Sequence, residues 1–222
     1  MHSNQNSSQF EHFTVNFSLS STLKDDIENY LIAIEGQILS LDEYSEVEME
    51  IGTIKGFYVD IANAWEDRFE PFDILDLEGS TAPYYDALFD YDTKEFKETF
   101  GFDIIYSNIL IIDRLEIWPS YRNRMVGLMA THRMIQQFSH GCGLVAIKVF
   151  PLQFEAKRDD EKSKKWFSDM ELGSFEQEEA TAVEKLKRYY QQLGFVEVEN
   201  SSFMVLSTIL KRPSLHDLGF DG

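Results

Sequence analysis

The stretch from Asn108 to Phe138, NILIIDRLEIWPSYRNRMVGLMATHRMIQQF, constrains the fold more than any other part of the chain. Residues 109–117 are β-branched and apolar with a few charges admitted, the pattern of a largely buried strand. Residues 126–138 carry apolar side chains at helical spacing. Between them Pro119, a poor central-strand residue, ends the strand, and a turn exposes Arg122, Asn123 and Arg124 ahead of the helix. A strand that feeds a helix through a basic turn forms an anion site, because free backbone N–H groups and the helix dipole point at whatever lies over the helix N-terminus.

Residues 144–150 read as a second buried strand closed by Pro151, and the intervening helix makes the two strands parallel. Further on, 182–192 reads as a helix with Gly194 behind it, followed by strands over 195–199 and 203–209 joined at Asn200, Ser201 and Ser202. Upstream, a short strand over 13–18, a brief Ser- or Thr-capped helix within 20–29, strand character over 30–41 and strong alternation over 46–61 predict an antiparallel meander with one acidic, solvated face. In the last of these Val47, Met49 and Ile51 fall on one face and Glu46, Glu48 and Glu50 on the other, and Gly52 and Gly56 mark a turn or bulges. Helical pieces are expected over 71–78, 84–89 and 93–100, in a region dense in aromatics. Residues 155–179 form a charged connector, with Trp166 and Phe167 among its acids and bases, that reads as a flap, an inserted helical piece or a solvated loop.

The turn Arg122, Asn123, Arg124, Met125, Val126, Gly127, preceded by Ile117, Pro119 and Tyr121, resembles the Q/R-x-x-G-x-G/A signature of the GNAT N-acetyltransferase superfamily. Gly127 matches its last glycine, whereas Met125 and Asn123 stand where the family often has glycine. The run Tyr190, Gln191, Gln192, Leu193, Gly194, Phe195 is similar to the Y-x-x-L-G-F segment of the same superfamily and follows in the expected order. The resemblance covers about the C-terminal half. It implies an α/β fold with a mixed, mostly antiparallel sheet, two splayed central parallel strands and helices on both sides. It also implies transfer of an acetyl group from acetyl-CoA directly to an amine, a small molecule or a protein side chain. By the same resemblance the amides of Arg122, Asn123, Arg124, Met125, Val126, Gly127 and Leu128 hold the pyrophosphate, the Ile117 backbone pairs with pantetheine, and Tyr190 protonates the departing thiolate. Val183 replaces an asparagine common in the family.

Asp113 is the candidate base, a carboxylate inside an apolar run where burial raises its pKa, with an ion pair to a neighbouring strand as the competing role. Glu116 is the second candidate, and period-two alternation puts it on the opposite face. The alternative to an enzyme is a non-catalytic fold of the same shape that binds a partner through its acidic face.

Charge and composition narrow these classes. The net charge is −19, with seventeen carboxylates against four basic residues over 42–98, which disfavours nucleic acid and anionic membranes and suits a cationic amine. A hydrophobic content of 43% and the lack of a long apolar run predict a globular chain outside the membrane. The single cysteine, Cys142, and the absence of a secretory pattern at the start point to the cytoplasm. The histidines offer no metal pair, so no metal is expected. The expected organisation is a polar lead-in over 1–10, one domain over 11–211 that includes the connector, and a loosely ordered tail over 212–222; an exposed sheet edge leaves a homodimer open.

Overall fold

A computed structural model describes residues 12–20, 22, 26–42, 47–155, 160–199 and 201–219. The lead-in 1–10, Asn200, Lys157 and Arg158 lie outside the described residues.

Three strands open the chain as a meander: β1 (His12–Ser20), β2 (Leu31–Asp42) and β3 (Val47–Val59). Three short helices follow, α1 (Ile61–Glu66), α2 (Pro71–Leu75) and α3 (Pro83–Leu88). Next come β4 (Asn108–Ile117), α4 (Val126–Phe138) and β5 (Cys142–Lys148). The chain closes with α5 (Glu161–Asp169), α6 (Glu179–Gln191), β6 (Val196–Glu197) and β7 (Phe203–Ser207). Among the described residues the sheet has seven strands in the order β1-β2-β3-β4-β5-β7-β6, antiparallel throughout except for the β4–β5 pair. The architecture is therefore a mixed α/β fold with helices on both faces.

Alternation along β4 builds both cores. Leu110 and Ile112 pack toward α4 and α6, and Ile109 and Ile111 toward α1, α2 and α3. All four are 0% exposed, and burying each contributes about 2–3 kcal/mol. On the first face Val126, Leu128, Met134 and Ile135 of α4 meet Ile34, Ile38, Ile51 and Ile54 of the meander. On the second, the aromatics Tyr84, Tyr85 and Phe89 fill the space over β5 and β7, with Tyr84 edge-on to Phe203 at 4.9 Å between centroids.

Several elements differ from the sequence reading. Residues 61–66 form α1 rather than the end of β3, because Asp60 stops the strand and caps the helix, accepting from the Asn63 N–H at 3.3 Å. The helix expected within 20–29 is one 3₁₀ turn, Ile27–Tyr30, capped by Asp26 and not by Ser or Thr; positions 21 and 23–25 are outside the described residues. Over 93–100 only Glu98–Phe100 is helical, and Phe96 instead bridges to Phe89 as a small β contact. Met49 is exposed while Ile51 is buried, since a bulge opposite Ile38 and Leu39 shifts the register between Glu50 and Gly52. In the tail, Leu218 packs against the α4-side core, and Ser214 and Asp217 close a turn.

A second bulge shapes the site. Lys55 pairs with Arg114 and Gly56 with Ile112, which leaves Asp113 as the extra residue on β4. Gly56 is required there: a Cβ would lie 2.3 Å from the Ile111 carbonyl oxygen and 2.6 Å from the Met134 methyl.

Candidate functional site

β4 and β5 stay hydrogen-bonded from Asn108 and Cys142 to Ile112 and Ile147, then part. Beyond that point β4 remains with β3 as far as Ile117, and β5 remains with β7 through Lys148. The gap between them opens into a cleft of about 730 Å³ bounded by the first turn of α4, by α6, and by the connector. Its wall is largely apolar, with Leu115, Val126, Leu152, Met170 and Leu186 among the lining residues. A small number of polar groups interrupt it, the usual make-up of a ligand cleft.

One end of the cleft is the turn before α4. Asn123 and Met125 both take left-handed backbone angles, with φ of 61° and 58°. For Asn this is mild, but for Met it costs about 1–2 kcal/mol. Such alternation aims successive N–H groups into one concavity. No side chain caps α4, although Asp160 caps α5 by accepting from Ser163 N–H at 2.8 Å and Glu178 caps α6 by accepting from Thr181 N–H at 2.6 Å. The first-turn amides of α4 thus face the cleft without a side-chain acceptor. Gly127 lets α6 close on this turn, since a Cβ would stand 2.4 Å from the Tyr189 hydroxyl.

The two arginines of the turn diverge. Arg122 turns inward, donating from Nε to the Ile117 carbonyl at 2.9 Å and from Nη2 to the Met170 carbonyl at 2.6 Å, with its guanidinium 4.5 Å from the Phe175 ring centroid. Burial lowers its pKa. Here it braces the strand end and the connector, and it already bonds the carbonyl of Ile117, the residue whose backbone the resemblance pairs with pantetheine. Arg124 is exposed and sits 5.1 Å over the Tyr121 ring, outside the cleft lining.

Toward the other end lie the carboxylates. Asp113 lines the cleft at the bulge, and desolvation raises its pKa from the ordinary aspartate value, opposed by a hydrogen bond from Ser80 and by the charge of Arg114. Its nearest cations are committed elsewhere: Lys55 pairs with Glu35 at 2.8 Å, and Arg114 holds Glu155 at 2.8 Å and also Glu116. Glu116 in addition accepts from the Trp166 indole N–H at 3.0 Å. The bulge corrects the expected geometry. Beyond it Leu115 and Ile117 pack on the α4 side, so Arg114 and Glu116 share the other face, the side from which Ser80 reaches Asp113. Glu116 does not oppose Asp113, and its carboxylate is already engaged by Arg114 and Trp166.

Tyr190 lines the same cleft, buried, edge-on to Phe195 at 5.9 Å. Burial raises its pKa, so the phenol stays protonated at neutral pH. Of the turn residues read from sequence, Asn123, Met125, Val126, Gly127 and Leu128 line the cleft together with Ile117, Asp113, Glu116, Arg122 and Tyr190, and Arg124 does not.

The sequence reading gave no role to Tyr189, whose hydroxyl lies on Gly127; Tyr84, from the aromatic region read as packing, is a buried phenol that accepts the Lys148 N–H at 2.8 Å. Asp113 helps raise the Tyr84 pKa, after burial itself. Of the readings of the connector, the inserted helical piece is what the structure shows, as α5, with Met170 and Leu172 buried behind it and Gln153 donating to the Glu176 carbonyl at 3.0 Å. Among the described residues no three His, Cys, Asp or Glu side chains gather as a metal site, and no helix is long and apolar enough to cross a membrane.

The fold and cleft define a mixed α/β protein with a candidate site where the parallel strands β4 and β5 part. Comparison with known proteins goes no further: no family model, no curated protein and no solved structure is significantly similar to the chain.

Proposed function

We propose that the chain is a GNAT-type N-acyltransferase that moves an acetyl group from acetyl-CoA to an amine. The observation that carries the reading is the parting of β4 and β5 directly into a cleft that ends on the uncapped first turn of α4. Phosphates suit that turn, where amide donors and the helix dipole favour negative charge, and an apolar gap between strands suits the arm of a thioester carrier.

The chemistry needs a free amine, an electrophilic thioester carbonyl and a proton for the leaving thiolate. Asp113, with its raised pKa, takes the proton released by the amine as its nitrogen bonds to the acyl carbon. The carbon–sulfur bond breaks, and Tyr190 supplies the proton that converts the thiolate to a thiol. Every group needed is a side chain or backbone amide. The acidic surface over 42–98 draws cationic acceptors, a small amine or a basic side chain of a protein. Cytoplasmic location belongs to this reading, as does a buried Cys142 whose thiol burial pushes up to about 12 and keeps unreactive.

A second reading has its own support. Arg122 occupies the Ile117 carbonyl and ties Met170 over the cleft, and Met125 holds a strained angle where glycine would be free, as in a scaffold that binds a partner without catalysis. Thiol release from acetyl-CoA with a panel of polyamines, aminoglycosides and lysine-rich peptides separates the two. Turnover that Asp113→Asn lowers by about 100-fold supports the enzyme, as removal of a general base typically costs 10²–10⁴-fold. Lack of turnover with every amine favours the scaffold.

A further inference from the structure

Within its described residues β1 lacks the prolines, bulges and charges by which sheet edges avoid pairing. It runs unbroken beside β2 from His12 opposite Leu41 to Ser20 opposite Ala33, with no bulge. Its sequence, HFTVNFSLS, contains no proline and no Asp, Glu, Lys or Arg. Natural edges are blunted by short strands, prolines, bulges or charges, and the opposite edge of this sheet, β6, is two residues long. One edge is short, and the other, among the described residues, is a long strand without charge.

Composition selects the partner. A chain of net charge −19 repels its own copies over most of its surface, and an uncharged strand is a place where two copies can meet. The strand is also self-complementary. Phe13, Val15 and Phe17 point toward the α4-side core, whereas Thr14, Asn16 and Ser18 are exposed on the other face. Antiparallel pairing about a two-fold axis at Asn16 sets Phe13 opposite Leu19, Val15 opposite Phe17 and Thr14 opposite Ser18. Apolar then meets apolar on one face and polar meets polar on the other. Leu19, 54% exposed although it lies opposite the buried Ile34 of β2, gains the second copy's Phe13. It enters there beside a groove of about 290 Å³ formed by Phe13, Val15, Met129 and Leu215. The residues that precede β1, MHSNQNSSQFE, offer too little apolar character to continue such a stripe.

We propose that the protein forms a symmetric dimer through antiparallel β1–β1 pairing centred on Asn16, joining two sheets into one. The proposal does not depend on the acyltransferase reading.

The test is sedimentation of the full chain, together with two variants: Thr14→Lys with Ser18→Lys, and Thr14→Glu with Ser18→Glu. These exposed positions leave the core untouched, and circular dichroism checks the fold. Wild type is expected at twice 25.8 kDa. In either variant the dimer sets like charges opposite each other twice, which weakens it by about tenfold or more. Mixing the two variants restores a dimer that contains one copy of each. A wild type that remains monomeric overturns the proposal, as does a dimer insensitive to both variants or variants that fail to pair on mixing. Protection of the β1 amides from exchange in a monomer would assign the edge to the chain's own preceding segment instead.

Discussion

Arg122 donates a 2.6 Å hydrogen bond to the carbonyl of Met170, and through it the end of the central strand is tied to a connector far along the chain. The same guanidinium holds the Ile117 carbonyl and stacks on Phe175, so one side chain fixes three segments that bound the cleft. Lysine cannot reproduce a planar fork with donors in two directions. Arg122→Ala is expected to cost about 2 kcal/mol of stability, the scale of hydrogen bonds from a charged donor, and Arg122→Lys to recover little of it. Hydrogen exchange should rise over 160–178 and stay unchanged in the meander. Unaltered exchange in the connector would show that its apolar residues alone hold it.

Asp113 sets a pH dependence of known sign. Its pKa is raised in the folded state, so the folded chain binds more protons than the unfolded one just above 3.8, and this residue's contribution turns unfavourable as pH rises through that window. Asp113→Asn is therefore expected to raise the thermal midpoint at pH 7, with the difference from wild type vanishing below the ordinary Asp value. Under the acyltransferase reading the same substitution abolishes the acid limb of the rate profile. Thermal melts from pH 3 to 8 check the first part, and a variant less stable than wild type at pH 7 would contradict it.

Gly127 and Tyr189 form a pair whose coupling can be measured. Gly127→Ala pushes a methyl group toward the Tyr189 hydroxyl and should cost about 1–3 kcal/mol, as overpacking does. Tyr189→Phe removes the obstructing oxygen, so the double variant should recover at least half of that loss. Additive losses would place the strain elsewhere, with Leu115, 3.0 Å from the same position, as the next contact.

The strand, turn and helix at the centre were legible because their signals are local. The α4 limits coincide with those read from apolar spacing, and the parallel β4–β5 pair follows from the intervening helix. Asp113 was visible as a charge in an apolar run. What could not be read was the bulge that places it, since a register shift depends on how β3 lies alongside, although Gly56 left a trace. For the same reason alternation misassigned the face of Glu116. The cluster of Arg114, Glu116, Glu155 and Trp166 joins residues widely separated in sequence and has no local signature. The inward turn of Arg122 was hidden likewise, because a basic residue before a helix reads as a phosphate ligand until its carbonyl partners are known.

Met125 tests how closely the turn suits an anion. Met125→Gly relieves the left-handed angle but adds unfolded-chain entropy and removes a side chain packed on the core, so stability should change by less than about 1 kcal/mol. Coenzyme A should bind more tightly as the backbone approach opens. A scaffold with no coenzyme site would not respond.

The most direct measurement is the calorimetric titration of acetyl-CoA into the full chain at low and moderate salt. The acyltransferase account predicts a dissociation constant on the order of micromolar at low salt, with binding weakened as salt rises. No heat of binding at millimolar coenzyme, from a protein shown to be folded, would contradict it and leave the cleft to another ligand.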